Sequence, residues 1–472
     1  MKNQPADAAP AINPNTVLLI TVIASFSTPF TLSSVNVALP AISGDLGMNA
    51  RELGWVALSF LLASSVLLVP LGRAADIYGR KKVFASGFAI FTAASLLCGL
   101  AQSSWQLILF RVLQGFGASM IFGTGIAILT TVFPAEKRGR ALGMSAAAVY
   151  LGLTLGPFLG GILVQGLSWR SIFFVNVPVG LLVLYLISTK MKAEWKGSAH
   201  ETFDLKGSAI YSFSLAALML GLSAVTEGPS WLAIAAGLAG FAWFLKHEAG
   251  ARHPVLNTRL FFRNKVFFFS SVAALLNYCA SFALSFLLSL YLQYIKGLTP
   301  RQAGFVMVVQ PICMALCSPA AGRLSDRIEP RIVASWGMAV TGAGLLFFAR
   351  IDAGTPMSVI VAGLSVFGVG LALFSAPNTN AVMGSVEPRS YSLAAALLAT
   401  MRVSGQTLSM AIVMLLFSVL IGQSRIGPGN LEQLARSFRL AVYIFTALCV
   451  LGVFASLKRG NLRDAAGVDK AG

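Results

Sequence analysis

Apolar segments of eighteen or more residues recur along nearly the whole chain, and this feature limits the possible folds most strictly. Of the 472 residues, 56% are hydrophobic and only 11% are charged. A water-soluble protein of this length could not bury that much apolar surface and remain dispersed. We count fourteen apolar spans, all but one of at least eighteen residues. The sequence therefore predicts an all-α integral membrane protein with fourteen transmembrane helices.

The positive charges predict how the spans are oriented. The chain has 35 lysines and arginines against 17 acidic residues, which gives a formal net charge of +18. An even number of spans places both termini on one side, and most lysines and arginines lie in the loops of that side, such as Arg80, Lys81 and Lys82. Because cytosolic loops are enriched in these residues, we expect cytosolic termini and a multi-pass location in a prokaryotic cytoplasmic (inner) membrane. This explanation is favoured over binding to nucleic acid.

Metal, cofactor and nucleotide chemistry are not indicated by any motif. All five cysteines lie in apolar segments, and Cys313 and Cys317, although spaced for one helix face, have no accompanying histidine. We interpret them as free thiols. The chain contains no phosphate-binding G-x-x-x-x-G-K-[ST] loop. We therefore expect no metal, no cofactor and no enzymatic activity, and any transport would be driven by a gradient.

The two parts of the chain repeat one pattern. The segment RELGWV…PLGRAADIYGRKKVFASG (51–87) matches RQAGFV…AAGRLSDRIEPRIVASWG (301–337), and every matched pair has the same separation along the chain. Parallel repeats of this kind are a transporter architecture with its site between the halves. The predicted units are a disordered cytosolic tail (1–15), an N-terminal six-helix bundle (16–192), an inserted helical pair (208–245), a C-terminal six-helix bundle (264–457) and a second cytosolic tail (458–472).

The predicted fifth span contains an unusual concentration of poor helix formers. Gly152, Gly156 and Gly160 recur every fourth residue, and Pro157 and Gly161 lie beside them. In a helix interior glycine costs about 1 kcal/mol and proline about 3 kcal/mol relative to alanine. One interpretation is simple tight helix packing along a stripe of small residues. The other is a bent, sliding interface in the gate of a two-state transporter.

Five motifs resemble those of one transporter family. GLTLGPFLGG (152–161) resembles the fifth-helix motif G-x-x-x-G-P-x-x-G-G of antiporters in the major facilitator superfamily. GRAADIYGRKK (72–82) and RVLQGFGA (111–118) resemble its loop after the second helix and its fourth helix. NVALPAI (36–42) and WRSIFFVNVPVG (169–180) resemble the fourteen-span drug:proton antiporter branch. The resemblance implies a major facilitator fold, two six-helix bundles plus two inserted helices, that works by alternating access.

The resemblance also suggests gating residues in the repeated loops. Asp76, with Gly72, Gly79 and Arg80, would latch the cytosolic gate by contacting a helix N-terminus and a basic residue, which is physically reasonable for a carboxylate. The alternative is that these are solvated loop charges. Asp326 and Arg331 would form a weaker second latch, because Pro330 replaces the residue that corresponds to Arg80.

Few groups are candidates for proton coupling. All 17 acidic residues lie in loops, tails or span ends, and Thr31 stands where multidrug members of the branch often carry a carboxylate. By resemblance Arg111, inside span four, would take part in proton coupling. A guanidinium there costs about 3 kcal/mol, so it should face protein or water, unless it extends to the interface. Asp76 and Glu227 are the remaining candidates.

Polar residues within spans predict a cavity. Arg402 lies near the midplane of span thirteen, with Gln406 one turn later and no acidic residue available to neutralise it. It either lines the cavity or bonds carbonyl groups between helices. The other cavity candidates are Thr31, Ser34, Asn36, Gln114, Tyr150, Asn277, Gln310 and Asn378. A mostly apolar pocket with a few polar groups suits amphipathic molecules, although interhelical hydrogen bonding explains such residues equally well.

The favoured function is proton-coupled export of hydrophobic or amphipathic small molecules, a multidrug-type efflux carried out by a monomer. The expected partners are a small-molecule substrate, protons and the lipid bilayer, with no nucleic acid. One alternative is a transporter of an organic anion, a metabolite or a lipid that uses Arg111 and Arg402. A remote alternative is a non-transporting receptor or scaffold, against which the small size of the loops argues.

Overall fold

The computed structural model describes residues 13–197, 201–223, 229–251, 264–386 and 391–460, and this part of the chain is helical with no strand. Its α-helices are α1 (Pro14–Leu46), α2 (Ala50–Tyr78), α3 (Arg80–Leu100), α4 (Ser104–Val132), α5 (Ala135–Gly166), α6 (Ser171–Phe174), α7 (Asn176–Lys190), α8 (Leu205–Ser223), α9 (Ser230–Gly250), α10 (Lys265–Leu290), α11 (Pro300–Met307), α12 (Val309–Arg327), α13 (Pro330–Phe348), α14 (Met357–Gly384), α15 (Tyr391–Leu420) and α16 (Leu431–Lys458).

The predicted membrane architecture is confirmed. Within the described ranges, thirteen helical stretches are long and apolar enough to cross a bilayer. The 21-residue helix α9 packs against α8 and completes a pair that brings the membrane helices to fourteen. The boundaries of the predicted units stay a prediction, and most of both tails lies outside the described residues.

Two of the spans are interrupted, and proline accounts for both breaks. The span formed by α6 and α7 breaks after Phe174, and the span formed by α11 and α12 breaks after Met307. Pro178 and Pro311 each follow these residues by four positions. A proline has no N–H for the carbonyl four residues earlier, so the helical ladder loses a bond at that point.

The repeat is visible in how equivalent helices begin. Asn49 and Glu52 form a reciprocal capping box at the start of α2, in which Glu52 N donates to Asn49 Oδ1 at 2.8 Å. Thr299 and Gln302 form the same arrangement at the matched positions before α11. Each box satisfies two backbone N–H groups that a helix start would otherwise leave unpaired.

The helices form two bundles that meet along a seam. In the first bundle α1 packs on α5 and α2 packs on α4; in the second, α12 and α13 pack on α14, and α10 packs on α15 and α16. The bundles touch where α2 meets α15 and where α5 meets α11. Helix α8 contacts both α2 and α15, and Ser212 Oγ donates to Val66 O at 3.1 Å, so the inserted pair lies beside this seam.

Candidate functional site

A cavity lies between the two bundles. Its volume is about 150 Å³. Residues of α1, α2, α4 and α5 form one wall, and residues of α10, α11, α12, α14 and α15 form the other. Most of the lining is apolar. Six of the predicted cavity residues line it, namely Asn36, Tyr150, Asn277, Gln310, Arg402 and Gln406.

The structure does not bring the other four predicted residues to the cavity. Thr31 Oγ1 donates to Asn176 Oδ1 at 3.0 Å and so joins α1 to α7. Ser34 donates to the carbonyl of Thr31 at 3.2 Å within α1. Asn378 Nδ2 donates to Ser270 O at 3.1 Å, which joins α14 to α10. Gln114 is buried beside Arg111, as described below. These side chains make the bonds within and between helices that were the alternative interpretation.

Hydrogen bonds join the bundles at the face opposite the chain ends, which we call the far face. Ala50 N donates to Ser424 O at 3.0 Å, between the start of α2 and the loop after α15. The carbonyl of Asn36 accepts from Ser289 Oγ at 2.6 Å. Gln293 Nε2 donates to the carbonyl of Val37 at 3.0 Å. The bundles are therefore in contact on the far-face side of the cavity.

Glycine makes a close crossing between the bundles at the same face. A Cβ atom added to Gly161 would lie 2.6 Å from the carbonyl oxygen of Pro300. One added to Gly304 would meet the carbonyl of Pro157 well inside van der Waals contact. Larger side chains at either glycine would hold α5 and α11 apart, so the closed contact depends on both.

The stripe of Gly152, Gly156 and Gly160 has a different neighbour. Added Cβ atoms would lie 2.5 Å from Phe26 O at Gly152 and 2.8 Å from Ser34 Cβ at Gly160, both on α1. The stripe therefore packs α5 tightly against α1 within one bundle. Pro157 and Gly161, on another face of α5, contact the second bundle.

Arg402 lies in the cavity wall, and no residue of the described part of the chain pairs with its guanidinium. It is on α15, and within the described ranges its guanidinium makes no hydrogen bond and no ion pair. Gly405 fixes its position, because a Cβ atom there would lie 2.6 Å from Leu275 O and 3.0 Å from Tyr278 Cβ. This close approach of α15 to α10 places Arg402 and Gln406 beside Asn277 and Tyr278 in one lining.

Arg111 is instead enclosed by the first bundle and is 0% exposed. Its Nε donates to Val56 O at 3.0 Å, and its Nη1 donates to Gln114 Oε1 at 2.5 Å. Gln114 Nε2 in turn donates to Ser95 Oγ at 2.7 Å. The guanidinium carbon lies 4.4 Å from the ring centroid of Phe60. This network ties α4 to α2 and α3.

The segment 72–82, which consists of the end of α2, Gly79 and the start of α3, is held by charged residues at the face that carries the chain ends. Arg80 Nε donates to Asp76 Oδ1 at 2.7 Å, and Arg80 Nη1 donates to Ala127 O at 3.1 Å on α4. Gly79 has a φ of 126°, a conformation that side chains rarely adopt. Gly72 lies where α2 approaches Gly123 of α4, with 4.0 Å between an added Cβ and the Gly123 Cα.

Glu194 is a partner of this segment that sequence reasoning missed. Its carboxylate accepts from Lys81 N at 2.8 Å and Lys82 N at 3.2 Å, at the N-terminus of α3. A carboxylate is favourable there because the helix dipole is positive at that end. The residue lies more than a hundred positions along the chain from Lys81 and Lys82, so no local spacing identifies it.

The second repeat of the segment is built differently. Asp326 lies near the end of α12, and Pro330 starts α13 where the first repeat has Arg80. A Cβ atom at Gly322 would meet open space, unlike one at Gly72. Glu227, the other predicted proton-coupling residue, lies outside the described residues.

Comparison with known proteins decides the family. The sequence model described as the Major Facilitator Superfamily matches residues 21–270 and 270–470. The chain belongs to the major facilitator superfamily. It is therefore a multi-pass membrane protein of a transporter family, as its motifs suggested.

Relatives within this superfamily carry different names. The chain is 29% identical over 441 residues to the riboflavin transporter RibZ of Clostridioides difficile (strain 630), covering 93% of this chain and 95% of that protein. It is 32% identical over 391 residues to the multidrug resistance protein Stp of Mycobacterium tuberculosis (strain ATCC 25618 / H37Rv), covering 80% and 71%. A bacterial homologue of the lysosomal transporter Spinster, solved in an inward-facing and unoccupied conformation, shares the fold with a TM-score of 0.68 at 17% identity, covering 94% of this chain and 97% of that one.

Proposed function

We propose that this protein is a monomeric secondary active transporter that exports hydrophobic or amphipathic small molecules in exchange for protons. The observation that carries the proposal is the mostly apolar cavity between two bundles that are joined at the far face. With cytosolic termini, as the loop charges predict, the closed far face would be the external side of the membrane, and the substrate would enter the cavity from the cytosol. The name of the relative Stp, a multidrug resistance protein, supports the same substrate class.

Alternating access would then depend on α5. The stripe of Gly152, Gly156 and Gly160 holds α5 to α1, so both helices would move as one body when the bundles rock. Gly161 and Gly304 form the far-face contact that must open for release. The ion pair of Asp76 and Arg80, and the weaker loop that contains Asp326, would act at the cytosolic gate.

Proton coupling is the driving force in this proposal, and it uses groups outside the cavity wall. None of the described lining residues is a carboxylate. Arg111, Asp76 and Glu227 remain the candidates for coupling. Arg111 is the one that lies within the membrane among the described candidates, next to the polar chain of Gln114 and Ser95.

The test uses inside-out vesicles and phenylnaphthylamine, an apolar dye that fluoresces in membranes. We expect ATP-independent accumulation when the lumen is acidified, and loss of accumulation when nigericin collapses the pH gradient. Gly304→Leu is the matched transport-deficient variant, because its side chain cannot fit against Pro157. Accumulation that persists without the pH gradient would disprove proton coupling, and accumulation equal in Gly304→Leu vesicles would disprove transport by this cavity.

A second candidate function is transport of an organic anion, and one observation favours it. Arg402 lines the cavity without a described partner, whereas Arg111 is enclosed elsewhere. Of the two arginines on which this alternative was based, Arg402 is the one that would meet a substrate.

A further inference from the structure

We propose that the cavity is a binding site for organic anions, in which Arg402 and Asn277 together bind a carboxylate, sulfonate or phosphate group of the substrate. The inference rests on the proposed transport function and narrows its substrate class. It excludes cations as preferred substrates. It also gives a role to two polar groups that the cavity leaves unpaired.

The charge of the cavity is the first argument. Among the described lining residues Arg402 is the one charged side chain, and there is no carboxylate to neutralise it or to attract a cation. A guanidinium at membrane depth is normally paired with an acid or with backbone carbonyls. Arg402 has neither partner in the described part of the chain. An anionic substrate would supply the missing charge.

The second argument is an independent donor in the same wall. Asn277 is 1% exposed, and its Nδ2 atom has no hydrogen-bond partner within the described ranges. A buried amide without a partner is costly, so such a group points to an acceptor that binds there. Arg402 has donors in a planar fork and no acceptor, and Asn277 adds a further donor. Only an acceptor-rich group satisfies both.

The depths of the two residues agree. Arg402 lies about 11 residues from the cytosolic end of α15, and Asn277 lies about 12 residues from that end of α10, so both are roughly 16–18 Å deep at 1.5 Å per residue. This is near the middle of a hydrocarbon core about 30 Å thick. Gly405 brings the two helices together at this level. The two residues therefore lie at one depth in the same lining.

The rest of the lining indicates what the anionic group is attached to. Phe60, Phe122 and Phe282 line the same cavity together with leucine and methionine side chains. Such walls favour an apolar or aromatic body and give inorganic anions nothing further to contact. The substrate class is thus an amphipathic organic anion.

Two dyes that differ by one charged group test the inference. Anilinonaphthalenesulfonate carries a sulfonate that phenylnaphthylamine lacks, and the two share the same aromatic body. Binding is measured by fluorescence with purified full-length protein, and transport is measured in inside-out vesicles. The variants are Arg402→Gln, Arg402→Lys, Asn277→Leu and, as a charge-matched control, Arg350→Gln, which is exposed at the far face.

We expect Arg402→Gln to weaken sulfonate binding about tenfold or more, as loss of a charge-assisted hydrogen bond implies, with less than about a twofold effect on the neutral dye. Arg402→Lys should restore part of the sulfonate affinity, Asn277→Leu should lower it more modestly, and Arg350→Gln should leave both dyes unchanged. Equal losses for the two dyes in Arg402→Gln, or no loss for either, would overturn the inference. If binding follows the expected pattern but neither dye is transported, the anion site stands and the proposed export function fails.

Discussion

Arg111 and Arg402 are both arginines inside membrane spans, yet the surroundings of their guanidinium groups are opposite. Arg111 is 0% exposed, donates to Val56 O and Gln114 Oε1, and lies over the ring of Phe60. Arg402 faces the cavity, and in the described ranges no protein group accepts from it. The difference shows that membrane depth alone does not assign a function to a charge. The role of such an arginine depends on whether the protein itself supplies hydrogen-bond acceptors for the guanidinium.

Replacing Arg111 should have the largest effect on stability. In Arg111→Met the buried amide oxygen of Gln114 loses its donor, and the carbonyl of Val56 keeps only its N–H partner within α2; the loss of both charge-assisted bonds costs about 3 kcal/mol in total. We expect a marked drop in the thermal unfolding temperature of the purified protein. If the variant unfolded at the same temperature as the unmodified protein, the structural role assigned to Arg111, and with it the contrast with Arg402, would be wrong.

Removing the partner of Arg111 should have the next largest effect. Gln114→Leu takes away the acceptor of Arg111 Nη1 and the donor to Ser95 Oγ but keeps the bond from Arg111 Nε to Val56 O. Because one buried charged donor then lacks its partner, we expect a loss of about 2 kcal/mol. Combining Gln114→Leu with Arg111→Met measures the coupling. Strictly additive losses would show that the two side chains do not act as one network.

The fold was predictable from the sequence because the features that determine it are long and repeated. The apolar segments, the charge bias of the loops and the order of the motifs each extend over many residues, and they agree with one another. Even the two interrupted spans have a local cause, since Pro178 and Pro311 each follow the break by four residues; the breaks themselves become apparent only in the structure. Helix α9 is a weaker case, since Lys246 and His247 follow its apolar run closely and reduce its hydropathy.

The site was less predictable because polar residues in spans have two uses with the same sequence signature. Asn277 and Asn378 are both asparagines in apolar helices, but only Asn277 lines the cavity. Which face of a helix meets a partner and which meets a cavity depends on contacts distant in the chain. The same limit applies to Glu194, whose role at the start of α3 arises only when the chain is folded.

Chemical labelling should separate the two arginine positions by about tenfold in rate, because a thiol reacts only where it is exposed as the thiolate. In a background without the five native cysteines, Arg402→Cys should react with a membrane-impermeant maleimide added to the face that carries the chain ends. Arg111→Cys should react slowly until the protein is unfolded. Rapid reaction of both, or of Arg111→Cys alone, would contradict the assignment of Arg402 to the cavity.

The smallest effect should be the change in stability on replacing Arg402, and its sign is informative. Arg402→Met removes a cation that has no described protein partner and that lies in a mostly apolar wall. Since no acceptor is left unsatisfied, we expect a change of less than about 1 kcal/mol, and a gain rather than a loss if the unpaired charge is a burden. Thermal unfolding with and without anilinonaphthalenesulfonate measures it. The dye should stabilise the unmodified protein and give little stabilisation to the variant. A large loss of stability without the dye would mean that Arg402 holds the helices together, as Arg111 does, and that its charge is not reserved for a ligand.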